Sequence, residues 1–229
     1  EYKMSEKVMQ LNRLHMRSSN FLKLCIATVI TTGLVACASA TQRHQLSENQ
    51  QIAQVASTQT DAEITASTQD NHTMMQHLVN LQKIAEQYQG NRAVGTKGGQ
   101  ASAQYILNEV KKLGLTAQMI PFQNREKTVG HNIIVEIEGQ SKDTAIIIGG
   151  HFDSVKEGPG INDNGSGVAV LLELLKHYHS QSSLPVHTIY IAFWDSEEVG
   201  VAGSSSFVEQ MTEQQLKGIK AYINVDMVG

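Results

Sequence analysis

One loop of the sequence carries an unusual density of polar groups. Residues 149–167, GGHFDSVKEGPGINDNGSG, combine a histidine with three acidic residues, two asparagines and several glycines, directly after the apolar run AIII. Imidazole and carboxylate groups together suit zinc, and also cobalt or manganese. Glycines keep the loop slim, so that its backbone can fold tightly round an ion and a substrate can approach. The segment therefore predicts a metal site at the end of a buried strand.

Two further strand candidates, TIYIAFW and AYINV, also end on acidic residues. The residues that follow them are Asp195, Glu197, Glu198 and Asp226. In open α/β sheets, ligands bind outside the carboxyl ends of the parallel strands. Several carboxylates at one point would repel one another strongly unless cations held them. We therefore expect His151 and carboxylates from three strand ends to share one metal centre.

Alternating helix and strand patterns must position these residues. Apolar residues at three- and four-residue spacing predict helices over 74–85, 105–113 and 168–179, and 90–99 is predicted as a loop. The strand candidates are TAQMIPF, NIIVEIEG, TAIIIGG, HTIYIAFW and AYINVDMVG. TAIIIGG and TIYIAFW are apolar on both faces, as central strands are. The pattern predicts an α/β three-layer sandwich on a mixed, largely parallel central sheet.

The first 37 residues have the pattern of an export signal. Basic residues precede LCIATVITTGLVACASA, which is too short and too rich in Thr and Gly for a transmembrane helix. The end of this run, LVAC, resembles a bacterial lipoprotein signal, in which Cys37 becomes the lipidated first residue. Acyl chains anchor through about 0.8 kcal/mol per buried CH₂, so lipidation would hold the protein on a membrane face of the cell envelope. The alternative is an ordinary secretory signal cut near residues 38–40.

The rest of the chain divides into a tether and one domain. Residues 38–70 are rich in Gln, Ser, Thr and Ala and predict a flexible tether, whereas 71–229 carry the helix and strand patterns of a catalytic domain. A net charge of −4 and an aromatic content of 5% are not those of a nucleic-acid-binding protein. Both cysteines, Cys25 and Cys37, lie near the N-terminus, so the domain has no disulfide framework.

Four motifs occur in order within this domain: HFDS, GPGINDNGSG, FWDSEEVGVAGS and INVDMVG. Together with the earlier segment GNRAVGTKGGQASAQYI, they resemble the co-catalytic zinc aminopeptidases of metallopeptidase family twenty-eight, the relatives of bacterial leucyl aminopeptidase and aminopeptidase Y. The resemblance covers residues 71–229. It implies a phosphorylase/hydrolase-like fold, two Zn²⁺ ions (or Co²⁺ or Mn²⁺), and peptide substrates with a free N-terminus.

The resemblance also implies a role for each matching position. His151 and Asp226 would bind the first metal, and Glu198 the second. Asp163 would bridge the two. Glu197 would be the general base that takes a proton from a metal-bridging water as the N-terminal residue is hydrolysed off. Such a base typically contributes about 10²–10⁴ in rate.

Asp153 completes the catalytic set that the resemblance implies. It would accept a hydrogen bond from the other imidazole nitrogen of His151 and so fix the tautomer of that ring. The resemblance further implies a cis peptide bond between Asp163 and Asn164.

The remaining polar residues of interest have structural interpretations. Asp195 is predicted to be solvated or a cap, and Ser166 to cap the helix that follows it. For Glu197 and Glu198, the structural alternative to the roles above is a pair at a helix N-terminus, where the dipole favours acids. His177 and His179 are predicted on the surface, His131 and His187 at the periphery, and Trp194 in the core.

The chain departs from the family pattern at its C-terminus. The family requires a further histidine downstream of the Asp226 position to complete the second metal site, and no other histidine of this chain is suitably placed. The chain is therefore interpreted as a C-terminally truncated, inactive fragment of a parent enzyme, with an incomplete sheet. Two alternatives stay open: an inactive binding module on the same fold, and a carboxypeptidase or glutaminyl cyclase relative. The sequence predicts neither the preferred N-terminal residue nor the oligomeric state.

Overall fold

The structure, a computed structural model, describes residues 73–229. The export signal over 1–37, the tether over 38–70 and the lipidation site Cys37 lie outside the described residues, and they stay predictions. Within the described range, none of the helices has the length and hydropathy needed to cross a bilayer.

Helices and strands alternate along the described chain. In chain order they are α1 over 73–87, α2 Lys97–Lys112, β1 Ala117–Gln123, β2 Val129–Ile137, β3 Ser141–His151, α3 Gly167–Ser180, β4 His187–Trp194, α4 Ala202–Glu209, α5 Glu213–Gly218 and β5 Ile219–Asn224. A distorted helical turn, Ile161–Ser166, precedes α3.

The strands form one mixed sheet in the order β1-β2-β4-β3-β5. Strand β3 lies between β4 and β5 and is parallel to both, while β1, β2 and β4 pair antiparallel. The two strands predicted as central, β3 and β4, are neighbours inside the sheet. Their register pairs His151 with Trp194, so both end at the same edge. The prediction of an α/β fold with a mixed sheet is confirmed.

Alternating side chains of the strands build a core on each face of the sheet. One face packs Ile133, Ile148 and Ile191 against apolar residues of α1, α2 and α3. The opposite face packs Ile147 and Trp194 against a smaller cluster that includes Phe207 and Met211. Because successive residues of a strand point to opposite faces, each central strand contributes to both cores. Helical layers therefore cover both faces, as a three-layer sandwich requires.

The loop predicted over 90–99 is shorter in the structure, because α2 begins at Lys97. Thr96 caps this helix by accepting a hydrogen bond from the Gly99 amide at 3.1 Å. A Cβ at Gly98 would lie 2.0 Å from the Asn91 carbonyl oxygen, so only glycine lets the preceding loop fold back onto the helix start.

One strand boundary and two helices also differ from the sequence predictions. The last strand runs over Ile219–Asn224 and ends before Asp226, so only the first two residues of the motif INVDMVG lie in it. The short helices α4 and α5 were not predicted; a Thr212 capping box, with Gln215 as its partner, begins α5.

Candidate metal centre

His151 is the last residue of β3 and the centre of the polar cluster. It is 3% exposed. Its Nε2 lies 3.0 Å from Asp163 Oδ1, 3.7 Å from Asp226 Oδ1 and 4.0 Å from Glu197 Oε2. One imidazole nitrogen therefore faces carboxylates from three different strand ends, which is the convergence that the sequence predicts.

The structure brings His151, Asp163 and Asp226 into the geometry of a metal site. One ligand atom from each lies within 4.8 Å of the other two. The side chain of His151 is 2% exposed, whereas that of Asp163 is 49% exposed. The cluster is therefore buried on the His151 side and open to solvent on the Asp163 side. A mixed imidazole and carboxylate set with an open side fits a catalytic zinc ion.

The electrostatics of the cluster also fit a cation. Burial lowers the pKa of His151, but hydrogen bonding to Asp153 and the charges of Asp153, Glu197 and Asp226 more than offset it and raise that pKa to about 9. Burial and neighbouring carboxylates raise the pKa of Glu197 and of Glu198. The carboxylates therefore favour a positive charge at this point, and a divalent ion would neutralise the same carboxylates.

The distorted turn Ile161–Ser166 presents Asp163. The backbone of Asp163 is extended (φ −104°, ψ 96°), and the Asp163–Asn164 peptide bond is cis, as the resemblance implies. The buried Asn164 side chain donates to the Val225 carbonyl at 2.8 Å and accepts from the amides of Gly167 and Met227. Asn164 therefore ties the Asp163 turn to the chain on both sides of Asp226. This role of Asn164 was not predicted from the sequence.

Asp153 joins the two loops that carry the site. It is fully buried, and its carboxylate accepts hydrogen bonds from the Glu197 amide at 3.0 Å and from the Glu198 amide at 3.4 Å. His151 Nδ1 lies 3.1 Å from the Asp153 carbonyl oxygen and 3.4 Å from its carboxylate. Asp153 thus contacts the imidazole as expected, and it also fixes the backbone of both glutamates.

Glu197 and Glu198 lie in a turn after β4, not on a helix, so the helix interpretation is wrong. The next helix, α4, begins only at Ala202. Ser196, Gly200 and Val201 have left-handed backbones in this turn, and such a backbone cannot continue a helix. Both glutamates are half-buried and share the charged surroundings of His151 and Asp163.

The prediction that Asp195 is solvated or a cap is wrong. Asp195 is 7% exposed and accepts hydrogen bonds from the His131 amide of β2 at 3.0 Å and from the Ser196 amide at 2.8 Å. Burial, with a contribution from Asp153, raises the pKa of Asp195 to about 7 despite these two donors. The Asp195 carboxyl therefore links the beginning of the turn that carries Glu197 and Glu198 to strand β2.

Ser166 does not cap α3 through its side chain. It occupies the N-cap position, but its hydroxyl donates to the Asn162 carbonyl at 2.7 Å and accepts from the Val228 amide at 3.1 Å. The other structural interpretations agree with the structure. His177 and His179 are exposed on α3, and Trp194 is buried.

Arg92 is a buried residue of this region that was not among the residues predicted from sequence. Its side chain is 0% exposed, although it lies in the loop between α1 and α2, and its guanidinium contacts the loop that follows β3. The available signal was its place in the segment GNRAVGTKGG, which fits the opening of the family pattern.

Comparison with known proteins agrees with this geometry. Residues 132–229 match the family model described as peptidase family M28. This part of the chain belongs to peptidase family M28. The M28 match includes the three strand ends of the cluster and every residue of the predicted metal and catalytic set.

Several curated proteins are similar in sequence to this chain. Over 153 residues it is 35% identical to leupeptin-inactivating enzyme 1 of Streptomyces exfoliatus, covering 67% of this chain and 35% of that protein. It is 42% identical over 105 residues to an aminopeptidase of Pseudomonas aeruginosa, with coverages of 46% and 19%. It is 40% identical over 114 residues to the probable lipoprotein aminopeptidase LpqL of Mycobacterium tuberculosis, with coverages of 50% and 21%. The chain spans about a third or less of the length of these relatives.

Solved structures share the M28 fold. The aminopeptidase LapA of Legionella pneumophila superposes with a TM-score of 0.58 at 24% identity, covering 69% of this chain and 43% of that one. A glutaminyl cyclase of an Acidobacteriales bacterium gives 0.55 at 22%, with coverages of 69% and 59%. Because both functions occur at nearly the same structural similarity, these likenesses show the fold and do not distinguish the two activities.

Proposed function

We propose that this chain carries the metal centre and the catalytic base of a zinc aminopeptidase that removes N-terminal residues from peptides. The observation that supports this most is the meeting of His151, Asp163 and Asp226, whose ligand atoms lie within 4.8 Å of one another at the carboxyl edge of the sheet. The activity is proposed for the whole protein, since the chain spans about a third or less of its relatives' length.

Each ligand has a defined part in this proposal. His151 and Asp226 would hold a first zinc ion, Glu198 would hold a second, and Asp163 would contribute to both sites. When bound, the two ions would activate a water molecule and polarise the scissile carbonyl. Asp153 contacts the His151 ring and accepts hydrogen bonds from the amides of Glu197 and Glu198.

Glu197 moves the proton. Its Oε2 lies 4.0 Å from His151 Nε2, beside the ligands without being part of the three-residue cluster. Burial raises its pKa, and a carboxylate with a raised pKa accepts a proton more readily near neutral pH. Glu197 takes the proton of the attacking water at a carboxylate oxygen and then donates it to the leaving amine.

The curated relatives favour an aminopeptidase over the alternatives. The three relatives above are 35–42% identical to this chain, and two of them are named aminopeptidases. The glutaminyl cyclase is only 22% identical. An inactive binding module would have no need for both Glu197 beside the cluster and Glu198 next to it.

The test compares three matched Glu→Gln variants in the protein expressed from its whole reading frame. Glu197→Gln should retain its metal and lower kcat on a leucyl chromogenic substrate by about 10²–10⁴, whereas Glu198→Gln should lose metal. The exposed Glu209→Gln, at the end of α4, should change neither. Full activity in Glu197→Gln would remove this residue from the mechanism, and cyclisation of N-terminal glutamine without peptide hydrolysis would support the cyclase alternative.

We further propose that Cys37 is lipidated and holds the protein at the cell envelope. The sequence LVAC at 34–37 supports this, as does the name of the relative LpqL, a probable lipoprotein aminopeptidase. Cys37→Ser should move the protein from the membrane fraction to the soluble fraction, and Cys25→Ser should not. Identical fractionation of Cys37→Ser and wild type would support the secretory alternative.

A further inference from the structure

Arg92 is a fully buried arginine in the loop between α1 and α2. Arginine is almost never fully buried unless it is paired. Among the described residues, no carboxylate forms a direct ion pair with it. Its guanidinium instead donates to three backbone carbonyls: Nε to Pro159 at 2.7 Å, Nη2 to Gly160 at 2.6 Å, and Nη1 to Phe152.

These carbonyls lie at the two ends of one segment, residues 152–160. Asp153 is next to the first end, and Asp163 lies three residues beyond the second. The Arg92 amide adds a fourth contact by donating to Ser154 Oγ at 2.8 Å. One side chain therefore closes the segment into a loop and sets the distance between the two aspartates that follow β3.

The charge of Arg92 is balanced through space by the site itself. Burial lowers the pKa of Arg92 to about 10, and the carboxylates of Asp153, Asp163 and Glu198 oppose this decrease. The guanidinium is therefore a cation at neutral pH. Its donors bond to backbone carbonyls and not to the carboxylates of the candidate site.

The backbone is shaped to admit this side chain. Gly160 has a left-handed backbone (φ +60°), and a Cβ there would lie 2.6 Å from Ser154 Cβ and 3.1 Å from Arg92 Nη2. On the other side, a Cβ at Gly99 would lie 2.3 Å from the Ala93 carbonyl oxygen. The loop that carries Arg92 therefore packs closely against the start of α2. Through Arg92, it also contacts residues 152–160.

We propose that Arg92 is a positioning residue, which holds residues 152–160 in the conformation that sets Asp153 against His151 and the turn after β4 and presents Asp163 to the metal. This inference rests on the proposed metal site. This role requires the planar guanidinium as well as its charge, because an ammonium group cannot donate to the three carbonyls in this fixed geometry.

The test uses Arg92→Lys, which keeps the charge and removes the fork, with the exposed Arg125→Lys as the matched control. Two quantities are measured: amide hydrogen exchange in the metal-free protein, and the zinc Kd by competition with a chromogenic chelator. Arg92→Lys should speed exchange over 152–167, leave β4 protected, and raise the zinc Kd by about 10–100-fold. Arg125→Lys should match wild type.

A second variant keeps the proposal testable if Arg92→Lys does not fold. Ser154→Ala removes only the contact with the Arg92 amide, and it should give a smaller change of the same kind. Wild-type exchange and wild-type zinc affinity in whichever of these variants fold would overturn the proposal. If wild type itself binds no zinc, the proposed metal site fails, while exchange over 152–167 still decides whether Arg92 holds the loop.

Discussion

The loops that follow β3 and β4 present acidic residues to the same point, but they are held by groups of opposite charge. The loop after β3 carries Asp153 and Asp163 and turns its carbonyls inward, onto the buried cation of Arg92. The turn after β4 carries Glu197 and Glu198 and turns its amides inward, onto the buried carboxylate of Asp153.

A second buried carboxylate, Asp195, holds the beginning of the β4 turn through the His131 and Ser196 amides. The sign of the buried group therefore follows the backbone groups whose hydrogen bonds it must satisfy. A long loop that folds its carbonyls inward needs donors, and a tight turn that folds its amides inward needs acceptors. Asp153 belongs to the first loop and holds the second, so it couples the two.

The largest effect is expected where the two loops join. Asp153→Ala would leave the Glu197 and Glu198 amides without their acceptor, and an unsatisfied buried group costs about 1–3 kcal/mol. We expect the free energy of unfolding to fall by roughly 2–6 kcal/mol for the two amides. Urea denaturation measures this, with Asp143→Ala as the exposed control. A loss below about 1 kcal/mol would mean that Asp153 does not couple the loops.

A smaller, pH-dependent effect is expected at Asp195. Burial raises the pKa of Asp195 to about 7 in the folded protein, from an ordinary value of about 3.8. The unfolded chain therefore loses this proton near pH 4 and the folded chain near pH 7, so the contribution of Asp195 to stability falls as pH rises between the two. Asn has no such proton. The stability of Asp195→Asn relative to wild type should therefore increase by a few kcal/mol from pH 4 to pH 7 and stay level above it.

Urea denaturation of both proteins at several pH values measures this difference, because most other titrating groups cancel between them. The exposed Asp143→Asn should show no such trend. A stability difference between Asp195→Asn and wild type that does not change with pH would show that Asp195 carries no raised pKa.

The smallest effect is expected at Arg125, which also donates to a loop carbonyl but from the surface. Its Nη2 lies 3.4 Å from the Gly200 carbonyl oxygen in the β4 turn, and the side chain is exposed. Arg125→Ala should change the free energy of unfolding by no more than about 0.5 kcal/mol. A loss as large as that of Asp153→Ala would mean that the β4 turn depends on a cation after all.

The residues of the candidate metal centre could be predicted from sequence because their type and position are both local signals. His151 ends one apolar strand and Asp226 comes shortly after another, and parallel strands bring their ends together at one edge of the sheet. Asp163 could be predicted from its glycine- and asparagine-rich surroundings before a helical pattern. The central strands could be predicted because they are short apolar segments of typical strand length.

The residues that hold the loops could not be predicted in the same way, because their partners are remote in sequence. Arg92 contacts a carbonyl 60 residues away, and Asp195 accepts from an amide 64 residues away. Arg and Asp in loops are usually solvated, so their types favoured the wrong interpretation for Asp195 and no interpretation for Arg92. Only tertiary structure shows which polar residue lies behind a loop and which faces solvent.

Zinc binding to the 229-residue chain tests the metal centre most directly. The chain is stripped with a chelator and titrated with Zn²⁺ against a chromogenic competitor, as wild type, as His151→Ala, and as His179→Ala, a matched histidine exposed on α3. Wild type and His179→Ala should bind one Zn²⁺ tightly, since His151, Asp163 and Asp226 form the cluster of three ligands among the described residues, and His151→Ala should lose this binding. Equal tight binding by His151→Ala and wild type would contradict a metal centre built on the end of β3.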